Sequence, residues 1–375
     1  MIPSTLRLFA AGRYRLEAGT AWYLNDLGEF RGKQELYTQQ SPQRLKALRE
    51  SAIIESAVSS NRIEGVNIDP SRVRDVLASP RPLFRDRDEE EVRGYRDALA
   101  LIYRSPRALP ISNETIQHLH GMIRGQIWDA GRYKDKDGDI IERFPDGSER
   151  IRFRTVPAAR TISAMGGLIA DWQRCLDERW VPPLIGLAAF NLDFLCIHPF
   201  RDGNGRVSRL LWLLQSCQLG YEVGRYVSLE RLVEENKDRY YATLAESSLR
   251  WHQGKHDPWP YANFVLSIMK MAYRDFVERV GEVKAPRGEK RGRVLAGIRD
   301  LLARPQGFKL KELEQACPGV SRDMVRHVLR EQQETGEITC TGRGPGAVWV
   351  RANKGNELPS DKGNNEGNSG GRQKP

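Results

Sequence analysis

One stretch of the chain concentrates residues able to do chemistry: His198-Pro199-Phe200-Arg201-Asp202-Gly203-Asn204-Gly205-Arg206-Val207-Ser208-Arg209. His198 follows an apolar run and is the one proton acceptor here whose ordinary pKa lies near neutrality, which suits a general base. A short loop with two glycines comes next, and a helix is expected from about Arg206. Backbone N–H groups and the positive end of that helix would then face an anion. Arg206 and Arg209, three apart, share one helix face from which both can reach phosphate oxygens. Asp202 offers the hard carboxylate oxygen that a Mg²⁺ bridging two phosphates takes. Singly, each has an ordinary reading: the histidine as a helix cap, Asp-Gly as a turn, the arginines as a solvated pair. Together they describe a phosphate cradle with a base beside it.

These residues need a scaffold, and the rest of the sequence supplies one. With 375 residues, 39% of them apolar and 29% charged, the chain is long enough for more than one folding unit and a sizeable core. The longest apolar run, Leu184 to Ile197, is interrupted by Asn191 and Asp193 and falls short of the roughly 18 to 20 residues of a spanning helix. Its end delivers His198. Helical spacing predicts Ser41 to Glu64, Glu89 to Tyr103, Asn113 to Ile127, Ile162 to Glu178, Leu184 to Ile197, Arg206 to Leu219, Leu229 to Ser248 and Pro258 to Val280. Between them, Lys134 to Arg154 alternates Asp-Gly turns with Ile140-Ile141 and Ile151-Arg152-Phe153, the pattern of a β-hairpin. The expected class is therefore mainly α. His118 and His120 read as packing or surface residues rather than ligands, and glycine and proline break the helix that a His252/His256 metal pair would need.

Five scattered cysteines fit neither a disulfide framework nor a closely spaced zinc site and are expected to be reduced thiols. Nothing near Met1 reads as a leader, so a cytoplasmic location is expected, with no membrane partner. The net charge of +10 is C-terminal in origin: Lys284 to Arg351 holds 14 Lys or Arg against 8 Asp or Glu. In that region Arg293 to Leu302, Leu310 to Cys317 and Ser321 to Glu334 read as helices, and Glu337 to Thr341 and Ala347 to Val350 as strands around a glycine-rich loop. Three helices and a hairpin predict a small winged helix-turn-helix. Arg322, Arg326 and Arg330 fall on one face of its third helix, with Arg343 at the wing tip, a set suited to duplex DNA. The same arginines suit a solvated face or a protein-contact module. The expected division is 1–90 for an N-terminal helical region, 91–282 for the core domain, 283–292 for a linker, 293–351 for the winged helix and 352–375 for a disordered tail.

The twelve residues from His198 to Arg209 match every fixed position of the Fic signature, His-Pro-Phe-x-Asp/Glu-Gly-Asn-Gly-Arg-x-x-Arg, and the chain resembles that family over roughly residues 40 to 280. Gly131-Arg132-Tyr133 before the hairpin and Tyr240-Tyr241-Ala242-Thr243-Leu244 after the signature agree. The resemblance implies a helical core that transfers AMP from MgATP to a hydroxyl of another protein, releasing pyrophosphate. His198 would be the general base and Asp202 the Mg²⁺ holder. Gly203, Asn204 and Gly205 would line the anion hole, with Arg206 and Arg209 on the phosphates. The hairpin would be the flap that clamps the target by strand addition. Tyr241 and Leu244 stand where relatives face the nucleobase, and equally where the helix would bury them.

Upstream, Ser60-Asn61-Arg62-Ile63-Glu64-Gly65 fits the family's inhibitory pattern Ser/Thr-x-x-x-Glu-Gly/Asn, with Ser60 and Glu64 one helical turn apart. The resemblance implies that Glu64 pairs with Arg209 and displaces the ATP γ-phosphate. The reading is thus an autoinhibited protein AMP-transferase that also modifies itself, and a homodimer is compatible with it. Two alternatives stand beside it: a DNA-binding regulator with the core as sensor, and a Fic enzyme that moves another nucleotide or removes AMP.

Overall fold

The computed structural model describes residues 3–38, 42–79, 83–143, 146–281, 289–304, 306–318, 320–342 and 344–352. The chain divides into two compact units, Met1–Gly281 and Glu282–Pro375.

The first unit is helical apart from one hairpin. In chain order it runs α1 (Thr5–Ala10), α2 (Ala18–Thr38), α3 (Pro42–Ile63), α4 (Val73–Ala78), α5 (Arg87–Arg104), α6 (Asn113–Arg124), β1 (Ile140–Arg143), β2 (Glu149–Phe153), α7 (Ala158–Asp177), α8 (Pro183–Ile197), α9 (Asn204–Gln218), α10 (Leu229–Glu235), α11 (Lys237–Ser248) and α12 (Trp259–Gly281). Its centre is α8, which is apolar all round and buried from Leu184 to Ile197, as a helix with no polar face must be. The two polar interruptions of that run are satisfied internally. Asn191 donates to Ser208 O at 2.7 Å and accepts from the Tyr261 hydroxyl at 2.6 Å. Asp193 accepts from the Thr5 backbone N–H at 2.7 Å and from Trp251 Nε1 at 2.6 Å. The second of these groups pins α1 to the helix that carries the histidine. Helix α5 approaches α6 so closely that a Cβ on Gly94 would meet Met122 O at 2.0 Å.

The division expected near residue 90 is absent from this unit. Leu6, Leu27, Ala57 and Ile63 belong to one hydrophobic core with Phe190, Leu210 and Phe264, so the N-terminal helices are part of the core body. The helix expected over Leu229 to Ser248 is two helices. Asn236 leaves helical geometry (φ −115°, ψ 30°) and turns its amide back onto Leu232 O, which ends α10. Helix α6 ends at Arg124, three residues short of the expected Ile127, because Gly125 takes a φ of 61° that suits glycine and breaks the helix.

The second unit comprises α13 (Glu289–Leu301), β3 (Phe308–Lys309), α14 (Leu310–Ala316), α15 (Arg322–Glu334), β4 (Ile338–Thr341) and β5 (Val348–Arg351). Its strands form an antiparallel sheet in the order β3-β5-β4, closed over a core of Val294, Ile298, Phe308, Leu313, Val325, Val328 and Ile338. Two-residue β3 escaped the sequence pattern because it is too short to alternate. Of the linker expected over 283–292, residues 289–292 belong to α13; residues 282–288 lie outside the described residues, as do Arg343 and the tail beyond 352. All five cysteines are free thiols.

Candidate active site

His198 caps α8 in the left-handed region, at φ 53° and ψ 63°. For a residue with a Cβ this conformation costs roughly 1–2 kcal/mol and persists only where neighbours fix it. Its Nδ1 faces Leu195 O at 3.3 Å. A carbonyl only accepts, so Nδ1 carries the proton and Nε2 keeps its lone pair. Burial, with the nearby Lys134 cation adding to it, pushes the imidazole down to about 4, against the opposing pull of Glu64 and Asp202. At neutral pH His198 is an unprotonated base.

The loop from Pro199 to Gly203 is braced from within. Asn204, buried, closes a reciprocal pair with Phe200: the Phe200 N–H donates to Asn204 Oδ1 at 2.9 Å and Asn204 Nδ2 donates to Phe200 O at 2.8 Å. The Asn204 side chain therefore holds the loop and does not reach into the cleft. Gly203, at φ 82°, sends its N–H to Asp202 Oδ1 at 2.6 Å. His120 lies flat beneath Phe200, ring centroids 3.8 Å apart. Gly131 N–H donates to its Nδ1 at 2.9 Å, so its Nε2–H donates to Asp202 O at 3.0 Å. This histidine is a packing residue, as its position suggested, and it also supports the acidic residue of the loop.

Asp202 is exposed at 57% of its side chain, yet Arg124 Nη1 donates to its Oδ2 at 2.7 Å and Arg206 Nη2 lies 3.8 Å from Oδ1. Desolvation works upward on its carboxyl, but Arg124 and then Arg206 hold it below the usual range. Beneath it Glu91, buried on α5, receives Arg124 Nη1 at 2.8 Å, Arg206 Nη1 at 2.5 Å and Arg87 Nε at 2.8 Å. Arg206 also donates to Asn61 Oδ1 at 3.1 Å and is only 1% exposed. The structure thus separates two arginines that the spacing places on one face: Arg206 is committed downward to Glu91 and Asn61. Glu91 and Arg124 went unnoticed in the sequence, where an acidic helix start and a helix-end arginine are commonplace.

Arg209 is different. Its Nε and Nη2 donate to Ser60 Oγ and Ser60 O, both at 2.9 Å, and Nη2 reaches Glu64 Oε1 at 2.8 Å. Burial alone would weaken the guanidinium charge, but the Glu64 carboxylate raises its proton affinity further. Nη1 is buried and has no hydrogen-bond partner among the described residues. That group lies beside Gly205, where an added Cβ would be 3.3 Å from Nη1 and 2.1 Å from Glu64 Oε1. Glu64 therefore lies against the first turn of α9, whose N–H groups lack intrahelical acceptors and favour an anion.

Glu64, His198 and Gly205 open onto a cleft of about 300 Å³, lined also by Ile140, Arg152, Phe153, Leu195, Tyr241 and Leu244. Tyr241 and Leu244 both face this cleft while packing partly on the core. Arg152 donates to Tyr241 O at 2.7 Å and lies over its ring, tying β2 to α11. The hairpin pairs Ile141 with Ile151 and Glu142 with Arg150, after a bulge between Ile140 and Ile141. Both Ile141 and Ile151 are about half exposed. Among the described residues no group of three or more His, Cys, Asp or Glu is arranged to hold a metal. A lone exposed carboxylate above a phosphate cradle does fit Mg²⁺, which binds through one or two carboxylates and substrate phosphates.

A buried imidazole, a braced Gly-Asn-Gly loop and a carboxylate seated at a helix start meet at this cleft, and the Fic/DOC family model matches residues 110–215. That segment of the chain is similar to the Fic/DOC family. The chain is 26% identical over 172 residues to protein adenylyltransferase Fic of Nematostella vectensis, a match that covers 44% of this chain and 38% of that relative. The alignment thus spans less than half the length of the curated relative. A Fic family protein from Desulfovibrio desulfuricans has a similar fold, with a TM-score of 0.59 and 23% identity over 92% of this chain and 99% of that one. A Fic domain containing signaling protein from Bacteroides thetaiotaomicron gives a TM-score of 0.57 and 18% identity, over 68% and 97%. Among the described residues no helix is long and apolar enough to cross a membrane.

Proposed function

We propose that the first unit is an autoinhibited protein AMP-transferase. The observation that carries the reading is the seat of Glu64: an anionic side chain fills the place beside Gly205 and Arg209 where the signature would hold phosphate. In the open state a target Ser, Thr or Tyr hydroxyl attacks the α-phosphorus of ATP, the bond from that phosphorus to the bridging oxygen breaks, and pyrophosphate leaves. Nε2 of His198 takes the hydroxyl proton. Arg209, relieved of Glu64, turns its charge to the terminal phosphates, while backbone N–H groups at Asn204 and Gly205 face the others; the Gly203 N–H, expected to join them, is taken by Asp202 Oδ1. Arg206 acts from beneath, through Glu91, by holding the loop in shape. Asp202 would hold Mg²⁺, which supplies charge neutralisation between phosphates when bound. Tyr241 and Leu244 offer an apolar wall for the base. The half-exposed Ile141 and Ile151 on the flap offer an apolar grip for a target strand.

The test is incubation of the Glu64→Gly variant with labelled ATP and a lysate, followed by identification of labelled proteins by mass. Labelling that requires His198 supports the reading; no transfer to any protein, itself included, overturns it. Family members that remove AMP use the same groups, and adding labelled, AMP-bearing product to the wild type tests that direction.

For the second unit we infer a winged helix-turn-helix that meets DNA phosphates through α15. The helix order and the β3-β5-β4 sheet support it. Arg322, Arg326 and Arg330 are all exposed, although Arg322 is drawn to Glu314 at 2.8 Å.

A further inference from the structure

His198 is flanked by two carbonyls, and one residue holds both. The Lys134 backbone N–H donates to Pro199 O at 2.8 Å, and its Nζ donates to Ile197 O at 3.3 Å. The same Nζ donates to Thr155 Oγ1 at 2.7 Å, and that hydroxyl passes its own proton to Gly138 O at 2.6 Å. Lys134 and Gly138 precede β1, and Thr155 follows β2, so this chain of bonds closes the base of the hairpin. The lysine is 6% exposed and makes no ion pair within the described residues. Asp137 and Asp139 favour the ammonium electrostatically without pairing with it, and burial outweighs them, so holding a charge here costs stability that a neutral side chain of the same length would not. Its charge calls for a reason beyond bracing.

We propose that Lys134 is a positioning residue for the base: its bonds to Ile197 O and Pro199 O fix the left-handed turn that presents His198, and they set a cation near the imidazole. The inference rests on the assignment of His198 as base. Three charges face the imidazole. Lys134, from the segment before β1, disfavours imidazolium, whereas Glu64 beyond α3 and Asp202 from the loop favour it. In the open state Glu64 leaves, and Lys134 and Asp202 then oppose one another. Burial pushes the lysine itself down to about 8, so it is charged through the acid and neutral range in which the base must stay free. Because its anchors reach the flap through Thr155 and Gly138, target capture and base alignment share one set of bonds.

The experiment compares Lys134→Met, Lys134→Gln and Thr155→Val in the full chain. All three are built on Glu64→Gly, so the carboxylate is constant. His198 is followed by histidine NMR titration, and transfer of labelled AMP by rate against pH. Removing the cation should raise the His198 midpoint by about one pH unit. It should also carry the acid limb of kcat upward by the same amount, with KM for ATP little changed. Thr155→Val keeps the charge and should lower kcat without moving the midpoint. Lys134→Gln retains a donor toward Ile197 O and decides the matter if the methionine variant does not fold. An unmoved His198 midpoint in the charge-free variants overturns the proposal, whatever kcat does. The NMR readout needs no turnover, so a parent variant that transfers nothing defeats the transferase reading and leaves this test standing.

Discussion

Arg209 and Glu64, far apart in sequence, meet at 2.8 Å with the arginine 3% and the glutamate 29% exposed. The pair closes the loop between the end of α3 and the first turns of α9. Since Ser60 supplies two more acceptors to the same guanidinium, the end of α3 and Arg209 form one unit.

Removing the carboxylate should open the site. A charge-assisted bond in a shielded place is worth on the order of 1.5–3 kcal/mol, so Glu64→Gly should raise the transfer rate roughly ten- to a hundredfold. Arg209→Ala should not mimic it, because the phosphate ligand goes with the block, and the double variant should stay slow. Rates of the four proteins with MgATP, self-modification included, decide it. Equal rates for wild type and Glu64→Gly would leave Glu64 as a helix-end residue.

His198→Ala should abolish transfer and leave ATP binding to the Glu64→Gly variant within a few fold, since a base for the target hydroxyl makes little ground-state contact with phosphate. Calorimetry and a transfer assay on the same preparation separate the two effects. Asp202→Ala should differ by weakening ATP binding in the presence of Mg²⁺ and hardly at all without it. Identical Mg²⁺ dependence in both proteins would remove Asp202 from that role.

How much of this was legible in the sequence differs by the kind of signal. His198, Asp202 and Arg209 announce themselves because they are contiguous in one motif, and α8 because its apolar run has a length and period of its own. Ser60 and Glu64 are visible only once that motif gives them a partner. Glu91 and Arg124 are not visible, because nothing local distinguishes a buried glutamate that takes three arginines from one that faces water. Arg206 shows the same limit from the other side: its spacing pairs it with Arg209, yet tertiary packing turns it toward Glu91. The break at Asn236 depends on a side chain choosing Leu232 O over solvent, a choice that helix periodicity does not encode.

Glu91 should be the costliest of these to change. Glu91→Gln removes the charge shared by Arg87, Arg124 and Arg206 and leaves buried guanidinium groups under-compensated, a loss on the order of 3–5 kcal/mol. Denaturant unfolding should show it as a lower midpoint with an unchanged slope. A shift of a few tenths of a kcal/mol would mean that the arginines find other partners.

Acid should loosen the first unit before most carboxylates titrate. Burial pushes His120, His198 and His256 down to about 4. The unfolded chain binds these protons near the ordinary 6.5, so stability falls as pH drops from about 6.5 toward 4. Asp193, pushed up to about 7 by burial, works in the other direction, because the folded chain keeps its proton where the unfolded chain releases it. For His120 the protonation site is Nδ1, and charging it forfeits the Gly131 N–H bond. A His120→Phe variant should therefore be less stable at pH 7 but show a shallower fall below 6.5, by thermal unfolding across that window. A slope equal to wild type would place the acid sensitivity elsewhere.

The remaining prediction concerns the second unit. If α15 meets DNA, the full chain should bind duplex DNA weakly and lose affinity steeply with salt, since each phosphate contact releases counterions. Arg326 and Arg330 are exposed and make no ion pair among the described residues, whereas Arg322 must first leave Glu314. Arg326→Ala combined with Arg330→Ala should reduce the slope of log affinity against log salt by about two and weaken all sequences alike, as phosphate contacts do. Arg322→Ala should matter less, and Glu314→Ala should strengthen binding by releasing Arg322. Fluorescence anisotropy with a labelled duplex at several salt concentrations measures all four proteins. No binding by wild type at low salt would make this unit a protein-contact or bracing module.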